Sequence, residues 1–129
     1  MKLKKLSPVL VVDAIEPVLP FWVDKLGFEK TMEVPHGDRI GFTILVKDGI
    51  EVMYQTAASV AQDVAPLAKS PQKGTFLFME IDDLDDVVKR LKGVTPVVPR
   101  RKTFYGSDEL IVRAPCGNVV TFAQFPPAS

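Results

Sequence analysis

IDDLDDVVKRLKG, residues 81–93, packs a strand end, a capped helix and a stop into one short stretch. Leu84, Val87, Val88 and Leu91 recur at helical spacing. Asp82, Asp83, Asp85 and Asp86 gather at the start of that helix, with Lys89, Arg90 and Lys92 near its end. This charge order suits the helix dipole, so the aspartates read as helix chemistry rather than as a cation site. Gly93 supplies the stop. The preceding TFLFMEI is strand-like. After the helix, Thr95–Val98 is predicted as a short strand, PRRKTFYGSD (99–108) as a solvated loop and Glu109–Arg113 as a strand. A turn over Ala114–Asn118 then leads into the last strand, VVTFAQF (119–125).

The same order occurs earlier in the chain. SPVLVV (7–12) is a buried strand, and DAIEPVLPFWVDKLG (13–27) places Ile15, Val18, Leu19, Trp22 and Leu26 at helical spacing, with Asp13 as cap and Gly27 as stop. Pro17 is tolerable near a first turn, whereas Pro20 unsettles where the helix begins. Phe28–Val34 and Ile40–Val46 follow as strands around the PHGDR turn, and Lys47-Asp48-Gly49 turns the chain into IEVMYQ (50–55). Shifted by 69 positions, Val12-Asp13 falls on Ile81-Asp82, Ile15 on Leu84 and Val18 on Val87; shifted by 68, Gly49 falls on Gly117, Val52 on Val120 and Tyr54 on Phe122. The opening stretch is therefore the second copy of a βαβββ unit. Neither half has enough core to stand alone, so the halves pack on each other or on those of a second chain. One domain over 1–129 is expected: module one 5–55, a connector 56–74 rich in Ala, Ser, Gln and Pro with one short helix, and module two 75–125.

The bulk properties narrow the function classes. With 16 basic and 16 acidic residues the formal charge is zero, which offers no electrostatic footprint for nucleic acid or an anionic membrane. No apolar run spans a bilayer. The opening MKLKKLSPVLVV meets Asp13 without a small-residue cleavage site, so no signal peptide is expected and the cytoplasm is the predicted location. Cys116 is the only cysteine, which rules out an intrachain disulfide.

PVLVVDAIEPVLPFWVDKLGFE in the first half resembles the "P-x-L-x-V…FY…LGFE" opening of the glyoxalase / bleomycin resistance / extradiol dioxygenase group, the vicinal oxygen chelate superfamily. FLFMEIDDLDDVVKRLKG, the YG pair and APCGNVVTFAQF resemble that group's "F-x-V-D-D-x-D…L" and "G…DP-x-GN-x-x-E" segments. The resemblance implies an α+β fold in which two tandem βαβββ modules form a curved mixed sheet around a cavity. It also implies a homodimer, with pockets built from both chains. Metal-dependent members hold a divalent ion with two side chains per module, one on the first strand and one on the last.

Those positions fall here on Ser7 and Met53, and on Phe76 and Thr121. None is an imidazole or a carboxylate, so no metal is expected. A two-residue misplacement would substitute Glu51 for Met53 and Glu80 or Phe78 for Phe76, still without a histidine. The only histidine, His36, reads as a solvated turn residue.

Alternation leaves Ser7, Val9 and Val11 on the face away from the first helix, and Phe76, Phe78 and Glu80 on the face away from the second. The ligand-binding candidates are Ser7, Met53, Phe76, Phe78, Tyr105 and Thr121, a wall with the apolar character of a small-molecule pocket. Glu51 and Glu80 are the catalytic candidates: if buried, their pKa values rise and one serves as a general base.

The expected function is a bleomycin resistance-like protein, without the usual metal ligands or any cofactor, that binds a small molecule in a cavity at a dimer interface. Antibiotic resistance is the associated role. The alternatives are a metal-dependent or acid–base lyase or dioxygenase of the glyoxalase type, and a non-catalytic interaction module whose cavity has filled in.

Overall fold

The structure, a computed structural model, describes residues 1–2, 4–69 and 75–127; residues 70–74 of the connector and the last two residues lie outside it. Contacts divide the chain into two compact units, Met1–Gln72 and Lys73–Ser129. The first contains β1 (Val9–Val12), a 3₁₀ turn Glu16–Val18, a π-helical turn Pro20–Lys25, β2 (Glu29–His36), β3 (Arg39–Lys47) and β4 (Ile50–Thr56). The connector follows with α1 (Ala57–Asp63) and a 3₁₀ turn Ala65–Leu67. The second contains β5 (Phe76–Glu80), α2 (Leu84–Arg90), β6 (Arg101–Lys102), β7 (Asp108–Arg113) and β8 (Val119–Gln124). The sheet orders are β1-β4-β3-β2 and β5-β8-β7-β6. In each, the first strand runs parallel to the last and the remaining pairs are antiparallel.

The repeat holds at the level of register. Val9 lies opposite Met53 in the first sheet and Phe78 opposite Thr121 in the second, the same pair under the two sequence shifts. The turns correspond as well. Asp48 and Gly49 have φ of 51° and 78°, and Cys116 and Gly117 have 71° and 104°. Two successive left-handed residues match the right-handed twist of the strands they join.

Each sheet buries one face. In the first, Leu10, Val12, Leu45, Val52 and Tyr54 are buried with Ile15, Val18, Phe21, Trp22, Leu26 and Phe28. The Trp22 indole N–H donates to the Tyr54 hydroxyl at 2.8 Å. The ring also meets Phe21 and Phe28 edge-on, with centroids 5.3 and 5.0 Å away. In the second, Leu110, Val112, Val120 and Phe122 are buried with Leu84, Val87 and Leu91. Val88, expected on that helical face, is exposed. Asp83 caps α2 by accepting from the Asp86 amide, and Gln124 of β8 accepts from the Leu84 amide at 2.8 Å.

Three local expectations are corrected. The single helix over residues 13–27 is two short pieces, because Pro17 and Pro20 each open a new turn. In a continuous α-helix the Glu16 carbonyl would need an N–H at position 20, which proline lacks; the Leu19 amide takes that carbonyl in a 3₁₀ bond instead. Asp13 caps nothing, since Ile15 stands at the cap position with no side-chain bond. Glu16 ties this turn to the sheet by accepting from the Ile40 amide at 2.8 Å.

In the second unit, Thr95–Val98 forms no strand: only an isolated bridge joins Pro96 to Val112. Pro96 within the segment and Pro99 just after it cannot donate to a ladder. The edge strand is instead β6, inside the stretch expected to be loop.

Gly41 is a point of close approach. A Cβ there would lie 2.6 Å from the Cβ of His36, next to a bulge in the β2–β3 ladder, and 3.4 Å from Ser59. The Gly41→Ala variant is expected to lose about 1–3 kcal/mol through overpacking, read as a lower urea midpoint with an unchanged slope.

Candidate functional site

The face of the first sheet away from the helical turns carries Val9, Val11, Met53 and Gln55, with Ser7 and Glu51 at one end. Alternation places them there, since their neighbours Leu10, Val12, Val52 and Tyr54 are buried. Glu51 accepts from the Ser7 hydroxyl at 3.2 Å and from the Lys5 ammonium. Its side chain is 13% exposed. The Lys5 hydrogen bond holds its carboxyl below the usual value despite partial burial, and Ser7 adds to this. The rise that burial alone would bring is thus reversed: Glu51 is kept as an anion by an ammonium, which weakens it as a base.

The corresponding face of the second sheet carries Phe76, Phe78 and Glu80 on β5, Thr121 and Ala123 on β8, and Glu109 and Ile111 on β7, as the register requires. Phe76 and Phe78 are 76% and 57% exposed. Glu80 is exposed rather than buried; with Asp82, Phe125 and Pro126 it borders an open hollow of about 550 Å³. A second hollow, of about 310 Å³, lies between Thr103, Ser107, Gln124 and Phe125.

Tyr105, in the turn from β6 to β7, joins an aromatic row. Its ring meets Phe104 edge-on at 5.1 Å and lies 6.3 Å from Phe125, which lies 6.4 Å from Phe78. Phe104 is fully exposed and Tyr105 is 44% exposed.

Beneath Tyr105 lies a residue that sequence reasoning missed. The Glu109 side chain has no exposed surface. It accepts from the Tyr105 hydroxyl, from the Ser107 hydroxyl at 2.7 Å and from the Arg101 guanidinium at 3.2 Å. Burial pushes its carboxyl up, but the three donors outweigh burial and leave it below the ordinary value. A glutamate opening a strand normally reaches water; the one sequence signal was Tyr105 and Ser107 just upstream, with an arginine before them. The basic run is exposed, as expected, but also engaged. Arg100 spans Asp85 at 2.6 Å and Asp108 at 2.8 Å, and Lys102 lies 3.9 Å from Asp108.

The residues at the strand positions of the ion site do not suit a divalent ion. Ser7 is spent on Glu51, Met53 offers a thioether that prefers soft ions, Phe76 has no donor atom, and Thr121 is a weak hydroxyl ligand opposite Phe78. Among the described residues, no three His, Cys, Asp or Glu side chains stand close enough together to hold one. His36 ends β2, half-buried, and Cys116 is exposed in its turn.

Against known families, the model of the Glyoxalase/Bleomycin resistance protein/Dioxygenase superfamily matches residues 5–122. The chain belongs to this superfamily. Solved structures of the superfamily share its architecture. A glyoxalase/bleomycin resistance protein/dioxygenase from Nocardioides is 16% identical, covering 100% of this chain and 88% of its own, with a TM-score of 0.74. A lactoylglutathione lyase from Agrobacterium tumefaciens is 16% identical, covering 94% and 92%, with a TM-score of 0.75. The bleomycin-binding protein of Streptomyces verticillus, solved with copper(II)-bleomycin, is 25% identical, covering 98% and 99%, with a TM-score of 0.66. Comparison with the curated protein sequences found no match. Within this superfamily member, no helix among the described residues is long and apolar enough to cross a membrane.

Proposed function

We propose that this superfamily member binds a flat, largely apolar small molecule without metal chemistry, in a cavity completed by a second copy of the chain. The observation that carries the reading is the aromatic row Phe78–Phe125–Tyr105–Phe104, exposed at every ring but the half-buried Phe125, on the module whose strand positions for an ion hold Phe76 and Thr121. Large π-faces left open to solvent, running from a strand through a chain end to a neighbouring turn, are unusual for a structural surface and suit stacking on a ligand. The 25% identity to a bleomycin-binding protein over nearly the whole chain agrees with a binder that sequesters its ligand, as antibiotic resistance requires. The acid–base alternative has less support, since Glu51 is an ion-paired anion and the Glu80 side chain is exposed.

Thermal unfolding with a panel of flat aromatic compounds, 8-anilinonaphthalene-1-sulfonate and metal-free bleomycin included, tests this. A ligand at a hundred times its Kd stabilises by about 2.7 kcal/mol, a rise of several degrees in a chain of this size. Phe78→Ser should abolish the rise while leaving the unliganded melting temperature within about a degree, because the ring is already exposed. A purified protein that carries stoichiometric zinc, nickel, iron or manganese and shows no aromatic-dependent shift would favour the lyase or dioxygenase reading instead.

A further inference from the structure

The Glu109 cluster is not what stability alone would select. A carboxylate withdrawn from water is costly even when paired, and an apolar side chain beside Ile111 and Ala123 would cover the same face more cheaply. Its three donors have one thing in common: all come from β6 and the turn leading into β7. Arg101 reaches one carboxylate oxygen, while Tyr105 and Ser107 share the other. The turn is closed at its base by the Thr103 amide on the Ser107 carbonyl at 2.9 Å and by the paired Thr103 and Ser107 hydroxyls, also at 2.9 Å. At its tip Phe104 stands fully exposed with no polar atom to anchor it, whereas Tyr105 is anchored through its hydroxyl.

We propose that Glu109 is a positioning residue that fixes the Tyr105 ring in the aromatic row and so sets affinity for a flat ligand without touching it. This rests on the aromatic-ligand reading above. A half-exposed tyrosine held only by ring contacts at 5.1 and 6.3 Å would sample several rotamers. A tether from its hydroxyl to a buried anion removes that freedom before the ligand arrives, and pre-organisation of this kind strengthens binding. The specificity that follows is for ligands long enough to lie along Phe78, Phe125 and Tyr105 together.

The test combines ring order in the unliganded protein with affinity for 8-anilinonaphthalene-1-sulfonate, followed by its fluorescence. The chain has two tyrosines, Tyr54 and Tyr105, so 3-fluorotyrosine labelling gives two fluorine resonances, and Tyr105→Phe identifies its own by deletion. Glu109→Gln should move the Tyr105 resonance toward that of the free amino acid and leave the Tyr54 resonance in place. It should also weaken dye binding about five-fold. Tyr105→Phe keeps the whole π-face and removes only the tether, and should weaken the dye by about the same factor.

The proposal is overturned if the Tyr105 resonance is unmoved by Glu109→Gln, or if Tyr105→Phe binds the dye as tightly as the parent. If Glu109→Gln displaces the Tyr54 resonance too, the variant has lost its fold and the Tyr105→Phe affinity decides. A parent protein that takes up no dye sinks the aromatic-ligand reading and the affinity claim with it. The fluorine resonances then still decide whether the carboxylate orders the ring.

Discussion

Trp22→Ala is expected to cost about 3–5 kcal/mol, the most damaging single truncation in the first unit. The indole is fully buried, meets the Phe21, Phe28 and Tyr54 rings edge-on and donates its N–H to the Tyr54 hydroxyl. Alanine removes the ring, opens a cavity that these neighbours cannot fill, and takes the donor away from the Tyr54 hydroxyl. The ring also matters more than its area suggests. It sits in the second proline-opened piece, the π-helical turn Pro20–Lys25, and its hydrogen bond to Tyr54 ties that turn to β4. Because domains of this size are stable by only about 5–15 kcal/mol, the variant should be partly unfolded near physiological temperature. Urea unfolding followed by circular dichroism measures this directly. A loss below about 1 kcal/mol would mean the turn repacks and that Trp22 does not anchor it.

Acid should unfold the protein, and the sign follows from four carboxylates. Glu16 is lowered chiefly by the Ile40 amide, Glu51 by Lys5, and Asp108 by Arg100. For Glu109, burial pushes the carboxyl up, but Tyr105, Ser107 and Arg101 together bring it below its ordinary 4.5. Each of the four therefore binds a proton more tightly in the unfolded chain than in the folded one. Their stabilisation is complete above the unfolded values, from about pH 5 upward, and is lost as pH falls through the lower folded values. The urea midpoint should be level between about pH 7 and 5 and fall steadily below about pH 4. Glu109, the buried member and the one least screened by salt, should account for a visible part of the slope, so Glu109→Gln flattens it and added salt spares it. A midpoint unchanged down to about pH 3, or one that falls between pH 5 and 7, would contradict this account.

Much of the architecture was legible in the residues because it depends on periodicity. Val52, Tyr54 and Thr56 alternate with Glu51, Met53 and Gln55, and the structure buries the first set and leaves the second partly open. The two shifts read from the sequence carry Val9 onto Phe78 and Met53 onto Thr121, and the structure's pairs Val9↔Met53 and Phe78↔Thr121 agree with them. Failures came where a residue's role depends on more than its own element. The first helix followed its apolar spacing on paper, but two prolines withheld the amide hydrogens a continuous helix needs. Glu51 was a candidate base only if burial raised its pKa. Lys5, 46 residues away in sequence, decided otherwise.

The sequence by itself determined the duplicated βαβββ pattern and the buried face of each sheet. These follow from side-chain spacing within single strands and helices. Only the tertiary structure decided that β6 forms, that Arg100 spans two aspartates, and that Glu109 lies sealed beneath Tyr105. Hydrogen bonds and ion pairs reach only a few ångströms, so which ones exist depends on how loops fold back across a sheet face. That is set by turn geometry and by every competing contact at once, and no local pattern of residues records it.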